Sequence, residues 1–134
     1  MTATTPLLQN VDAVTVPVPD LDAGLRFYHD FLGHELRWRN DQAGQAGPGL
    51  PGSDTEIVLT TRQAYEPNWL VASADHAAAV IQAAGGRVVA APSDIPVGRL
   101  TVVADPFGST LVLPDLSKGH YVTDGTGKVT GVDP

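Results

Sequence analysis

Apolar and β-branched residues recur along this chain in two different rhythms. Val11 to Val18 (Val-Asp-Ala-Val-Thr-Val-Pro-Val) has the partial alternation of a strand, and Pro17 suits an edge position or a strand end. Pro19-Asp20-Leu21 then opens a helix, with Asp20 placed to accept from the free N–H groups of its first turn. Leu21, Leu25, Tyr28 and Leu32 fall at helical spacing and are expected to face a core, with Phe27 and Phe31 widening the stripe. Gly33 is a natural stop. His34 to Arg39 reads as a strand with Leu36 and Trp38 on one face. Asn40 to Ser53 is rich in Gly and Pro. It holds either a short strand near Gln45 to Leu50 or a loop, and the Gly47-Pro-Gly-Leu-Pro-Gly52 stretch reads as loop. Asp54 to Thr61 is a clearer strand, and Arg62 to Pro67 is a connection.

The rhythm then restarts. Asn68 to Ser73 reads as a strand. Asp75 to Ala84 reads as an Ala-rich helix with Ala77, Val80, Ile81 and Ala84 inward, ended by Gly85-Gly86. Arg87 to Ala91 is a strand and Pro92 to Val97 a loop. Gly98 to Ala104 and Ser109 to Leu113 form two strands around the tight turn Asp105-Pro106-Phe107-Gly108. Sliding the chain by 53 positions sets Asp20 on Ser73 and Gly33 on Gly86, so strand, helix, strand, strand, strand occurs twice. The sequence predicts a single α+β domain over 1–134, with one module at about 10–62 and a second at about 66–114. A polar extension, 115–134, follows and holds either a small hairpin or disorder.

The closing segment, strand, Asp-Pro-x-Gly-x-x-x, strand, resembles the vicinal oxygen chelate superfamily, which includes glyoxalases, bleomycin-resistance proteins and extradiol dioxygenases. Val11 to Leu36 (Pro-x-x-x-x-x-x-x-Phe-Tyr, then Leu-Gly) and Val71 to Ala91 (ending Ala-Ala-Gly-Gly) share the likeness. The resemblance implies two βαβββ modules that build a cavity for a small organic molecule, and a homodimer. It also implies a divalent metal held by inward-facing residues of the first and last strand of each module, acting as a Lewis acid.

Carried onto this sequence, those positions are poor in donors. The first-strand histidine falls on Ala13. The last strand of the first module offers Glu56 or Val58, and the repeat offset carries Ala13 onto Glu66. The final carboxylate, seven residues after Asp105, is Val112. No cofactor is predicted, and a divalent metal is disfavoured by Ala13 and Val112. His29, His34, His76 and His120 fall outside the strand positions that would face a cavity.

Glu56 and Glu66 are the candidate acid–base groups. With Trp38, Arg62, Tyr65, Trp69 and Arg99, Glu56 completes a set of candidate ligand-binding residues. Two readings stand. One is a metal-independent protein that binds a small molecule, as bleomycin-resistance proteins do. The other is a lyase, isomerase or dioxygenase with a rearranged metal site or carboxylate catalysis.

Composition narrows the partners. The net charge of −7, with eight Lys and Arg spread thinly, disfavours nucleic acid and weakly suits a cationic ligand. The absence of cysteine excludes disulfides and thiolate chemistry. No apolar run is long enough for a membrane span, and no signal-peptide pattern opens the chain, so a cytoplasmic location is expected.

Overall fold

The computed structural model describes residues 5–134. Two compact units divide the chain. One comprises 12–67 and 121–131; the other comprises 68–120, 132–134 and the described residues up to Val11.

In the first unit, β1 (Asn10–Pro17) leads into helix α1 (Leu21–Leu25). Asp20 caps that helix by accepting from the Ala23 N–H at 2.7 Å. Strands β2 (Leu36–Asn40), β3 (Gln45–Leu50) and β4 (Ser53–Thr60) follow as an antiparallel meander. β1 returns alongside β4 in parallel, so the strand order is β2-β3-β4-β1. Leu21, Leu25, Ala46 and Leu59 form the core on the helix side, joined by Val16, Val18, Tyr28, Leu36 and Ile57. The alternation of a strand explains the choice: Ile57 and Leu59 point to the helix, and Glu56 and Val58 point away from it.

The second unit repeats the plan with β5 (Glu66–Leu70), α2 (Ala74–Ala83), β6 (Arg87–Ile95), β7 (Gly98–Ala104) and β8 (Thr110–Pro114), ordered β5-β8-β7-β6. Its core joins Val71, Ala77, Val103 and Leu113, with Trp69, Ile81, Leu111, Leu7 and Leu8 packed against them. Beyond it, β9 (His120–Thr123) and β10 (Val129–Asp133) pair as a hairpin, the ordered alternative of the two left open for the extension.

Several expectations are corrected. After Leu25 the helix widens into a π-helical stretch, Arg26–Phe31, where the Leu32 N–H reaches the Phe27 carbonyl five residues back. The wider turn breaks the 3.6-residue stripe, so Phe27, Phe31 and Leu32 face solvent, 51%, 73% and 52% exposed. Gly33 still ends the helix, with φ of 80°. Leu36 and Trp38 do not share a face. The β2–β3 register shifts between them, so Leu36 joins the helix-side core and Trp38 the opposite face. The glycines from Gly47 to Gly49 are strand, not loop. The bare Cα of Gly47 admits the Trp38 indole and that of Gly49 the Arg37 guanidinium, each of which a Cβ would strike. β6 runs on to Ile95 through the stretch expected as loop, because Ser93, Asp94 and Ile95 pair with Leu100, Arg99 and Gly98. Ala84 is exposed; Ala74, Ala77 and Ala78 are the buried face of α2.

Candidate functional site

On the sheet face away from α1, Ala13 stands opposite Glu56 and Thr15 opposite Val58. Ala13, Trp38 and Val58 are buried there as one cluster, with Tyr121 and Val129 packed against it. The Trp38 indole Nε1–H donates to Glu56 Oε1 at 3.0 Å. Removal from water pushes the Glu56 carboxyl above its ordinary value. The Trp38 hydrogen bond and the Arg37 charge pull it back, Asp12 pushes it up, and the net shift is upward. The result is a carboxylate anchored to an indole beside the apolar side chains of Ala13 and Val58. It can accept a donor from a ligand or take up a proton.

The other candidate residues are placed differently. Thr15 Oγ1 donates to the carbonyls of Ala64, at 2.7 Å, and Glu66, at 3.1 Å, which pins the connection that carries Tyr65. Tyr65 itself is 72% exposed. Arg62 is exposed and donates to the Gln42 carbonyl at 3.1 Å. Glu66 is half-buried at the first residue of β5. Trp69 packs into the helix-side core of the second unit. Arg99 is committed to acidic neighbours: Nε bonds Asp75 Oδ2 at 2.7 Å, and Nη1 bonds Asp94 Oδ1 at 3.2 Å. Of the candidates, Trp38 and Glu56 are brought into contact.

Tyr121 and Asn40 belong with that pair and were not singled out in the sequence. The Tyr121 ring centroid lies 4.9 Å from that of Trp38 at 47°, and Asn40 Nδ2 donates to the Tyr121 hydroxyl at 3.4 Å. Asn40 and Tyr121 are 81 positions apart, and no local pattern links them. The Asp-Gly of the β9–β10 turn was the available signal for the hairpin, though not for where it packs. Asp115, also missed, is 2% exposed and clamps three backbone N–H groups: Ala74 at 2.7 Å, Arg99 at 2.9 Å and Ser117 at 3.1 Å. Burial pushes its carboxyl up, but those donors outweigh it and hold it below the usual range.

The strand register settles which residues occupy the metal positions implied by the resemblance. Asn68 stands opposite Val112 in β5–β8, and Thr15 opposite Val58 in β1–β4. Thr15 lies five residues before the cap Asp20, and Asn68 five before the cap Ser73, which accepts from the His76 N–H in the same way. Val58 is therefore the counterpart of Val112, and Glu56 lies one step along the same face, opposite Ala13. Of the four implied positions, Ala13, Val58 and Val112 offer no donor atom, and Glu66 alone carries a carboxylate. Among the described residues no group of three or more His, Cys, Asp or Glu side chains gathers to hold a metal ion. This donor set does not fit a divalent metal of the implied kind. The histidines lie elsewhere: His29 Nδ1 donates to the His34 carbonyl at 2.6 Å, His34 Nδ1 donates to the Gly49 carbonyl at 3.0 Å, and His76 and His120 are exposed. No helix of the described residues is long and apolar enough to cross a membrane.

Residues 13–113 match the family described as the glyoxalase-like domain. Two mycobacterial proteins, from Mycobacterium bovis and Mycobacterium tuberculosis, both named "Putative glyoxylase CFP32", are each 36% identical over 96 residues. The match covers 66% of this chain and 37% of theirs, so the chain spans little more than a third of these curated relatives. Among solved structures, methylmalonyl-CoA epimerase from Mycobacterium tuberculosis superposes with a TM-score of 0.64 at 24% identity, covering 86% of this chain and 92% of that one. A hypothetical protein from Bacillus halodurans gives 0.62 at 13% identity, covering 86% and 98%. At these identities the likeness is one of fold: mixed α+β, with βαβββ repeated. The profile match, the doubled βαβββ plan and the Asp-Pro-x-Gly closing turn together place this chain in the glyoxalase-like family of the vicinal oxygen chelate superfamily.

Proposed function

We propose that this chain binds a small organic molecule on the Trp38–Glu56 face without a metal, as a homodimer. The indole-anchored carboxylate beside the apolar side chains of Ala13 and Val58 carries the reading. An apolar wall with one polar group gives a ligand burial and a single orienting contact. A planar cationic compound suits it, because a carboxylate accepts strongly from a charged donor and the whole chain is acidic. The exposed Phe27, Phe31 and Leu32 supply apolar surface for a second copy. Benzamidine is a convenient probe of the site, titrated by calorimetry with and without EDTA. The reading requires equal affinity in both, and a loss of about tenfold or more in Glu56→Gln, as expected when a charge-assisted bond is removed. Affinity that vanishes with EDTA, or that ignores Glu56→Gln, rules it out.

The raised pKa of Glu56 supports a second reading, a lyase or isomerase in which this carboxylate takes a proton from a carbon acid. Turnover that Glu56→Gln leaves unchanged rejects that reading.

A further inference from the structure

Every surface of the Trp38 side chain is already in use. Its Nε1–H goes to Glu56, its ring lies over the bare Cα of Gly47, and Ala13 and Val58 flank it. Its remaining flank carries the Tyr121 ring, which leaves Trp38 9% exposed. Tyr121 arrives on the β9–β10 hairpin, and Val129 from the other strand packs on the same cluster. The hairpin is tied to the edge of β2 by the Arg39 N–H, which donates to the Gly127 carbonyl at 2.8 Å, and by the Asn40 bond to Tyr121. Its turn is closed on itself: Asp124 Oδ1 accepts from the N–H and hydroxyl of Thr126 and from the Lys128 N–H. Residues 122–126 are exposed and contribute nothing to the cluster. A two-stranded hairpin is marginal in water without such packing, so Tyr121 and Val129 are what hold it down.

We infer that the flank of Trp38 is an aromatic subsite, and that Tyr121 is its internal occupant, a competitor that a planar aromatic ligand bearing an N–H donor must displace. The inference rests on the function proposed above. It adds that the C-terminal hairpin lifts when the subsite is filled. The ligand ring takes the place of the Tyr121 ring, and its donor meets the free carboxylate oxygen of Glu56.

The test is set in a Trp69→Phe background, where Trp38 is the sole tryptophan. Acrylamide quenching reads the cover directly, with no ligand. Tyr121→Ala is expected to raise Trp38 quenching severalfold, and Tyr121→Phe to leave it at the parent level. Titrated with benzamidine, Tyr121→Ala is expected to bind about tenfold more tightly than the parent, the factor that follows from losing a competing ring pair. Quenching unchanged in Tyr121→Ala overturns the inference, as does affinity no greater than the parent. A benzamidine affinity insensitive to Glu56→Gln counts instead against the function proposed above, and leaves the quenching result standing. A second measurement needs no variant. In the unmodified protein, saturating benzamidine should speed hydrogen exchange of the Arg39 amide severalfold, because its acceptor departs with the hairpin. Slower or unchanged exchange overturns the inference.

Discussion

Glu56 sets a function against a cost. Its raised pKa means that the folded protein holds a proton there more readily than the unfolded chain does. Stability from this group is therefore full at low pH and is lost as pH rises from the unfolded value through the folded one. Glu56→Gln keeps an oxygen for the Trp38 N–H and removes the charge. We expect thermal melts of this variant above the parent at neutral pH, with the gap closing at about pH 4 or below, where both states are protonated. A variant less stable than the parent at neutral pH counts against a desolvated carboxylate. Gly47 is the complementary case. Adding a methyl group under the Trp38 indole forces the ring to move, and Gly47→Ala should cost about 1–3 kcal/mol in urea unfolding. Glu56 was legible in the sequence as a charged residue in an alternating strand. Gly47 was not, since a glycine that yields room to a side chain reads the same as a glycine in a turn.

Elements were legible where local pattern and packing agree. The cap Asp20 and the turn at Asp105 follow from side-chain chemistry within four residues. The pattern misled where a longer-range cause intervened. A π-helical turn rotated Phe27 and Phe31 outward, and a register shift turned Trp38 away from Leu36. These corrections have measurable consequences. In the monomer, measured at protein concentrations too low for copies to associate, Phe31→Ser should change stability by no more than about 0.5 kcal/mol, whereas Leu25→Ala, in the buried half of the same helix, should cost about 2–5 kcal/mol. Equal losses from both would return Phe31 to the core. Asp115 joins the start of α2 to β7, and a Cβ at Gly98 would collide with it. Its folded pKa is lowered, so its contribution is present above the unfolded value and is lost as pH falls through the folded one. Asp115→Ala, which leaves buried N–H groups without their acceptor, should cost about 1–3 kcal/mol at pH 7 and show a flatter acid limb in stability-versus-pH curves.

At the scale of the whole molecule, the same βαβββ plan is written twice with unlike residues on its sheet faces. Thr15 and Val58 in one unit answer to Asn68 and Val112 in the other. A resident metal would stabilise the folded chain by mass action, so its removal would lower the melting temperature. On the metal-free reading, protein purified without chelator melts at the same temperature before and after EDTA; a drop of several degrees would count against that reading. The division of the chain also bears on the order in which the protein is made. The unit that opens with β1 is completed by residues 121–131 from the far end. During synthesis its sheet therefore emerges long before Tyr121 and Val129. A nascent chain paused within the second module has one flank of the Trp38 indole still uncovered.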